Sequence, residues 1–441
     1  MENDKKPKPA PQSHAQYIPE AKTEARSVTA VKVPTLELPK GGGAIHGIGE
    51  TFSTNLAMGT GGMSIPVAVS PGRGGAAPQL AVTYSSGSGQ SLFGVGWSMA
   101  VPSVRRRTDK QLPTYNDRDE EDVFLFAGEE ELVPALVSTS GGWVRDVVEV
   151  SVTTSTGSVT ERRERFRPRT EGSFHRIERI TRPDAAVPFW RVTDRSNGVS
   201  EFGRQASTRV SDPASNGRRV FEWLLERQYD DRGNVTEYHY KQEDGAGVTA
   251  AMFHEHHRTG DAYGARHLKR IFYSNRDMYE PSGEAVPAYL DPEDFLFEVV
   301  VDYGDHASVA PTPDDALDWS LRVDAFSSYR SGFELRTQRQ CKRVLMFHRI
   351  DDADEAVLVK STDFTYATEA GVSRLTEVHH RSYRANGEGY DTDAMPPVSM
   401  EYAPAAFSQS LSTMPANSLV NAPEELDGSR YRWVAEPSPQ F

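Results

Sequence analysis

The chain has 441 residues, 25% of them charged and 37% hydrophobic, with a formal net charge of −14 at pH 7. That balance suits a folded protein with ample surface, and its acidic surplus argues against non-specific nucleic-acid binding, which relies on Lys and Arg to neutralise phosphates. A single cysteine, Cys341, excludes an intrachain disulfide, and no apolar run approaches the ~18 residues of a membrane-spanning helix.

Residues 1–35 are polar and rich in Lys, Pro, Glu and Ala, and read as a disordered leader. They lack the apolar core of a signal peptide, so cytoplasmic synthesis and non-classical release to the extracellular region, by lysis or a dedicated exporter, are expected. Fifteen of the 35 glycines then fall between Gly41 and Gly96, interleaved with the β-prone pieces MSIPVAV (63–69) and QLAVTY (79–84). Glycine takes positive φ and close backbone approach without steric cost, so short strands punctuated by it imply tight turns and bulges. Gly41 to Gly49 could instead cradle a phosphate, but the Lys-Ser/Thr ending of a P-loop and a following helix are missing.

Next come a basic stretch, Arg105 to Lys110, and an acidic one, Asp119 to Asp122. The first reads as a solvated edge strand or loop rather than an anion site. The second lacks the spacing of a calcium loop and reads as a solvated turn. From Val144 to about Gly245 strand follows strand, with turns of Asp, Asn and Gly between them. Asn197-Gly198 suits a type I′ hairpin, in which both central residues need positive φ. A second hairpin turns at Asp231 to Asn234. His254 to His257 (HEHH), with His239 and His267 near in sequence, could ligate a metal, but the spacing is not H-E-x-x-H and alternate strand residues face opposite ways, so a surface loop is expected. The run Phe295 to Gly304 is apolar enough for a strand buried on both faces. Segments 322–330, 332–336, 341–349, 362–366, 375–378 and 395–404 also read as strands.

The words LPKGGGAI-x-GIGE-x-F (Leu38 to Phe52), TG-x-MS-x-P (within 59–66), SPGR (from Ser70), PQL (Pro78 to Leu80), Y-x-SGSG (Tyr84 to Gly89) and FG-x-GW (Phe93 to Trp97) stand in close order. So do R-x-D-x-FS-x-YR-x-GFE-x-RT (from Arg322), C-x-RVLMFHR (Cys341 to Arg349) and PP-x-x-x-EY-x-P (from Pro396). In these words the chain resembles the N-terminal region of the SpvB/TcaC family, which includes B components of bacterial insecticidal toxin complexes. The resemblance runs from about Leu36 to Trp433. It implies an all-β domain over 36–425, built of many short antiparallel strands and hairpins as a segment of a β-sheet shell, and a truncated entry to a β-propeller-type region over 426–441. The Y-D-x-x-G-N-x-x-x-Y-x-Y pattern ending at Tyr240 looks like one RHS/YD repeat unit.

Family members that continue into an ADP-ribosyltransferase use an Arg, an S-T-S strand and a downstream E-x-E pair. Here Ser138-Thr139-Ser140 lies in a Ser/Thr/Gly-rich turn, Glu129 to Glu131 precede it in the wrong order, and no E-x-E follows. No G-x-S-x-G elbow occurs either. Cys341 has nothing near it in sequence to activate its thiol. The chain is therefore expected not to be an enzyme and to carry no catalytic, cofactor-binding or metal residue. The resemblance implies a structural module that encapsulates or helps deliver a toxic polypeptide, with a C-type (RHS) component and an A-type translocation component as partners and no membrane insertion of its own. The alternatives are a secretion or delivery domain for a separate ADP-ribosyltransferase, and an unrecognised enzyme using the Asp119 or His254 cluster.

Overall fold

The structure, a computed structural model, describes residues 49–55, 59–117, 122–128, 130–249, 252, 255, 258, 263–350, 355–369, 371–387 and 389–402. The expected leader (1–35), the glycines from Gly41 to Gly47 and the stretch 426–441 lie outside the described residues. Within them the chain forms β-strands joined by turns and short 3-10 segments, and no helix is long and apolar enough to cross a membrane. The all-β expectation therefore holds.

Eight strands close on themselves. Ser103–Arg106 pairs with Phe124–Phe126, which pairs with Glu130–Pro134, which pairs with Gly157–Pro168. The ladder continues through Arg176–Thr181, Phe189–Thr193 and Val199–Phe202 to Val220–Tyr229. Residues 222–224 of that last strand pair back onto Ser103–Arg106. All these pairings are antiparallel, and closure leaves the barrel without open edges along these ladders.

Alternation along the staves decides what fills the barrel. Val104 and Arg106, Phe124 and Phe126, Trp190 and Val192 are buried at every second position. Their aromatic rings interlock: Phe124 lies 5.0 Å from Trp190 and 5.8 Å from Trp223, Phe166 lies 5.0 Å from Trp190, and Phe126 lies 5.9 Å from Phe202. Edge-on geometries predominate, as the ring quadrupole favours. The Trp223 indole N–H donates to the Pro188 carbonyl at 2.8 Å, so its polar handle is satisfied in the dry interior.

Val220–Tyr229 serves two sheets. Residues 222–224 close the barrel, while residues 227–229 pair with Val235–Gln242 and start an open sheet. That sheet runs on through Arg266–Asn275, Phe295–Asp302, Arg343–His348, Val357–Glu369 and Val372–Ala385 to the edge strand Tyr390–Ala394. Phe295–Asp302 sits mid-sheet and is buried on both faces, as its composition implies. The glycine-rich N-terminal portion forms a separate four-stranded sheet, Thr51–Asn55, Thr60–Pro66, Ala81–Ser85 and Trp97–Met99. It is fastened to the open sheet by Ser70 Oγ on His348 Nε2 at 2.7 Å, by Tyr273 O–H donating to Ser70 O at 2.6 Å, and by Trp97 N–H donating at 2.8 Å to the Tyr402 hydroxyl, which in turn donates to the Leu375 carbonyl of the sheet at 2.7 Å. Gly94 has φ +87, and any Cβ there would run into the Ser373 backbone, so close approach to this sheet explains one glycine of the dense run.

Four expectations need correction. The turn before Val199 is not a two-residue type I′ turn. Asp194 and Gly198 close a five-residue loop, with Asn197 left-handed at φ +62. The Asp194 carboxylate accepts from the N–H groups of Ser196 and Gly198, which fixes the longer loop. Asp230 does the same for Arg232 and Asn234, so both hairpins share one turn design. Arg105 and Arg106 are not an edge, because Ser103–Arg106 is paired on both sides, whereas residues 107–110 form a loop with Asp109 and Lys110 exposed, as expected. Ser138 and Thr139 lie in an exposed two-stranded hairpin, Leu136–Thr139 with Gly142–Arg145, rather than in a loop. Within 322–336 the strands are three residues each, Phe326–Ser328 and Leu335–Thr337; Arg322 and Asp324 instead tie down the bend before them, with N–O 2.8 Å.

Candidate functional site

The basic stretch supplies the barrel's polar plug. Arg106 points inward and is 2% exposed. Its guanidinium donates to the Val220 carbonyl at 2.8 Å and meets Asp122 at 2.6 Å and Asp117 at 2.8 Å. It also lies over the rings of Phe124 and Trp223. Arg179 joins Asp117 at 2.5 Å from the opposite wall. Asp122 thus belongs to the barrel interior and not to a solvated acidic turn; residues 118–121 lie outside the described residues. Burial would raise the Asp117 carboxyl, but Arg106 and Arg179 hold it below its ordinary value. A cavity of about 180 Å³ remains at this mouth, lined by Asp117, Asp122, Phe124, Phe166 and Arg179 among others.

The outer face of the same strands, and of Val235–Gln242 beyond them, carries charge in alternation: Glu161 and Arg163, Arg176 and Glu178, Arg191, Glu201, Arg227, then Glu237. Antiparallel register sets opposite signs against each other, with Glu178 facing Arg191, Arg191 facing Glu201, Glu201 facing Arg227 and Arg227 facing Glu237. The resulting ladder is tight. Arg163–Glu161 is 2.7 Å, Arg191–Glu201 3.0 Å, Arg204–Glu201 2.8 Å and Arg227–Glu237 2.5 Å. Farther along the open sheet, Glu298 is held by Arg270 at 3.2 Å and by Arg349 at 2.5 Å.

A strap buries this ladder. It is the connection 276–294 between Arg266–Asn275 and Phe295–Asp302. Its carbonyls accept from ladder side chains: Gly283 O from Arg182 at 2.7 Å, Pro287 O from Gln205 at 2.8 Å and Ala288 O from Arg227 at 2.9 Å. Arg204 also donates to the Glu284 carbonyl. The Leu290 N–H donates to Glu237 at 3.2 Å, and Tyr289 stacks on His239 with ring centroids 3.9 Å apart. Charged groups so covered must be fully paired to be tolerated, and backbone carbonyls take the donors that carboxylates leave over. At the tip a Cβ on Gly283 would overlap the Thr153 carbonyl oxygen, so only glycine lets the strap lie this close to the strand Val147–Thr154.

Beside that tip the cover stops and a groove of about 370 Å³ opens. Arg163, Arg176, Arg191, Glu161, Thr193 and Tyr229 line it with Pro281, Ser282 and Gly283. No motif in the sequence marks this place. The available signal was period-two charge in RRERFR and RIERI, which marks a strand whose outer face pairs with its neighbours.

The ladder makes the fold sensitive to acid. Burial would raise Glu201, but Arg204 and Arg191 outweigh it and pull its carboxyl down to about 2. Glu243, beside His267 and Arg339, and Asp305, beside Lys269 and Lys241, are likewise brought to about 2 against the effect of burial. A depressed folded-state value contributes stability above the unfolded value, 4.5 for Glu and 3.8 for Asp, and that contribution is lost as pH falls toward 2. Glu226 and Glu298 are raised by burial and act in the opposite direction. Denaturant titrations of the chain and of Glu201→Gln are expected to differ by roughly 3 kcal/mol at pH 6–7 and to converge near pH 2. A constant gap across that range would show that Glu201 does not titrate with folding.

The other sequence candidates fall elsewhere. His254, His256 and His257 lie outside the described residues; Glu255 is buried against Arg336 and Arg258. His239 stacks under the strap, whereas His267 packs between Tyr303 and Trp319 beside Glu243, so the two do not share a site. Asp305, His306 and Asp315 are spaced like metal ligands. The Lys269 ammonium stands among them, 2.8 Å from Asp305, 2.8 Å from His306 and 3.0 Å from Asp315, and supplies the positive charge a cation would bring. The Cys341 thiol is fully buried and burial pushes it well above its ordinary value, which leaves it unreactive.

A family described as Salmonella virulence plasmid 65kDa B protein (SpvB) matches residues 55–350. The chain belongs to the SpvB family. Its curated SpvB relatives include that of Salmonella typhimurium strain 14028s, 34% identical over 82% of this chain and 59% of the relative, and that of Salmonella dublin with the same figures. The chain thus spans about 59% of the length of the SpvB proteins it matches. Among solved structures, the N-terminal domain of effector protein SpvB from Salmonella typhimurium strain LT2 matches with TM-score 0.64 and 31% identity, over 73% of this chain and 98% of that one. The crystal structure of TcdB2-TccC3 matches with TM-score 0.71 and 31% identity, over 84% of this chain and 18% of that one. A Photorhabdus luminescens Tc holotoxin pore matches at TM-score 0.70, 31% identity, over 84% and 17%. This SpvB-family chain accordingly shares its fold with one part of those toxin structures.

One expectation is overturned. The residues alone pointed away from an enzyme, yet the curated SpvB relatives carry an enzyme name, mono(ADP-ribosyl)transferase. A transferase motif occupies one segment of a protein, whereas that name covers the full length of relatives of which this chain spans about 59%.

Proposed function

We propose that the chain is a wall-building module of a bacterial toxin assembly, which joins a C-type (RHS) component to enclose or help deliver a toxic polypeptide, with an A-type component as further partner. The match to TcdB2-TccC3 over 84% of this chain carries the reading. Two features of the fold support it. A closed barrel grading into an open sheet offers a rigid post with an extendable wall. The edge strand Tyr390–Ala394 pairs on one side alone among the described residues and is largely exposed, and such an edge is completed by a neighbouring strand.

Co-expression with an RHS-type C component, followed by size-exclusion chromatography, is expected to yield a single co-eluting species. Separate elution of the two chains at micromolar concentration would remove the reading. The transferase-named relatives favour a second reading, delivery of a separate ADP-ribosyltransferase effector. Under it the chain co-purifies with such an effector and not with the C component.

A further inference from the structure

We propose that the groove beside the strap tip binds an oxyanion, a carboxylate or a phosphate, between Arg163, Arg176 and Arg191. The proposal is independent of the assembly reading, since it concerns a single chain. It starts from a charge imbalance. Under the strap, guanidinium groups are matched by carboxylates and backbone carbonyls. At the tip the strap ends, and three guanidinium groups line a groove of about 370 Å³ in which Glu161 is the sole lining carboxylate. Glu161 is itself divided: it meets Arg163 at 2.7 Å, Arg182 at 3.1 Å and Arg191 at 3.7 Å, and because Arg191 is already held by Glu201 at 3.0 Å, the unmatched charge rests on Arg163 and above all on Arg176.

Arg176 is the least satisfied of the three. Its nearest carboxylate, Glu178, is 3.8 Å away, and its hydrogen bond goes to the neutral Thr193 hydroxyl at 3.3 Å. Its side chain is 56% exposed, so it reaches the groove without holding the fold together. A local positive surplus in a chain of net charge −14 is the opposite of what composition alone would place on a surface. Guanidinium forks match planar carboxylates and phosphates with paired hydrogen bonds, and Thr193 and Ser282 add hydroxyl donors at the rim. The groove falls in the size range of small-ligand sites.

The test is isothermal titration of the full chain with inorganic phosphate and, separately, with a tetraglutamate peptide, each at low salt and at about 0.5 M salt. Saturable binding of at least one probe, weakened by salt, is expected. Preference for one probe assigns the source of the oxyanion. Arg176→Ala is expected to weaken binding about tenfold, the size of one lost charge-assisted contact. Arg162→Ala removes an exposed arginine from the same strand as Arg163 that does not line the groove, and is expected to change binding less than about twofold. Arg163→Gln provides a second groove variant, with thermal melts confirming that each variant is folded. The proposal fails if the parent chain binds neither probe, or if the Arg162 and Arg176 variants lose binding equally.

Discussion

Replacing Trp190 with alanine is expected to lower the unfolding free energy by about 3–5 kcal/mol, the usual cost of emptying a fully buried aromatic site. Trp190 has no exposed surface and packs against Phe124, Phe166 and Trp223 inside the closed barrel. The staves are linked by main-chain ladders on both sides, so they cannot collapse inward to fill the void, which places the cost toward the upper end. Urea unfolding of the variant, followed by far-ultraviolet circular dichroism, measures it. Trp143→Ala is the matched control. Trp143 is 71% exposed on its hairpin, and its loss is expected to stay within about 0.5 kcal/mol. Equal losses at the two positions would mean that the barrel interior is not the stabilising core.

The second large effect lies one layer away. Arg106→Met is expected to cost about 3–5 kcal/mol, because it leaves Asp117 and Asp122 facing an interior with less to neutralise them. The cost belongs to the stranded carboxylate more than to the missing arginine. The double variant Arg106→Met with Asp122→Asn is therefore expected to recover part of the loss, since it removes the stranded charge and the one amide oxygen still accepts from the Thr114 N–H, while the Tyr115 N–H, which Asp122 serves through its other oxygen, loses its acceptor. Additive losses in the double variant, measured by the same urea titration, would assign Arg106 a packing role over Phe124 and Trp223 instead.

Much of the β-architecture was legible in the residues. Val147 to Val152, His175 to Ile180 and Phe295 to Gly304 announce strands through alternation or continuous apolar runs, and the observed strands Val147–Thr154, Arg176–Thr181 and Phe295–Asp302 follow them closely. What the sequence hides is which strands meet. Arg105 to Arg107 reads as surface because three adjacent arginines dislike burial, and nothing local shows that Asp117 and Asp122 will come to the middle one. The groove was hidden for the same reason. Arg163, Arg176 and Arg191 lie on three different strands, and the strap that frames them comes from residues 281–283, nearly a hundred positions later. Alternating charge shows an outer face, but register and a remote loop decide whether that face is solvated or covered.

Closure of the barrel has a consequence in time. The seam joins Ser103–Arg106 to residues 222–224, and Ser103 donates to Glu222 across a separation of 119 residues. During synthesis the first seven staves leave the ribosome before the eighth exists, so a nascent chain that has not passed Leu224 carries two raw sheet edges and half-sheltered tryptophans. Distant seams of this kind form slowly, because the intervening chain must be ordered before the contact repays it. The interval is one in which the growing polypeptide is open to mispairing with its neighbours, and a pause in translation once Leu224 has emerged would let the seam close before the strands of the open sheet arrive to compete for it.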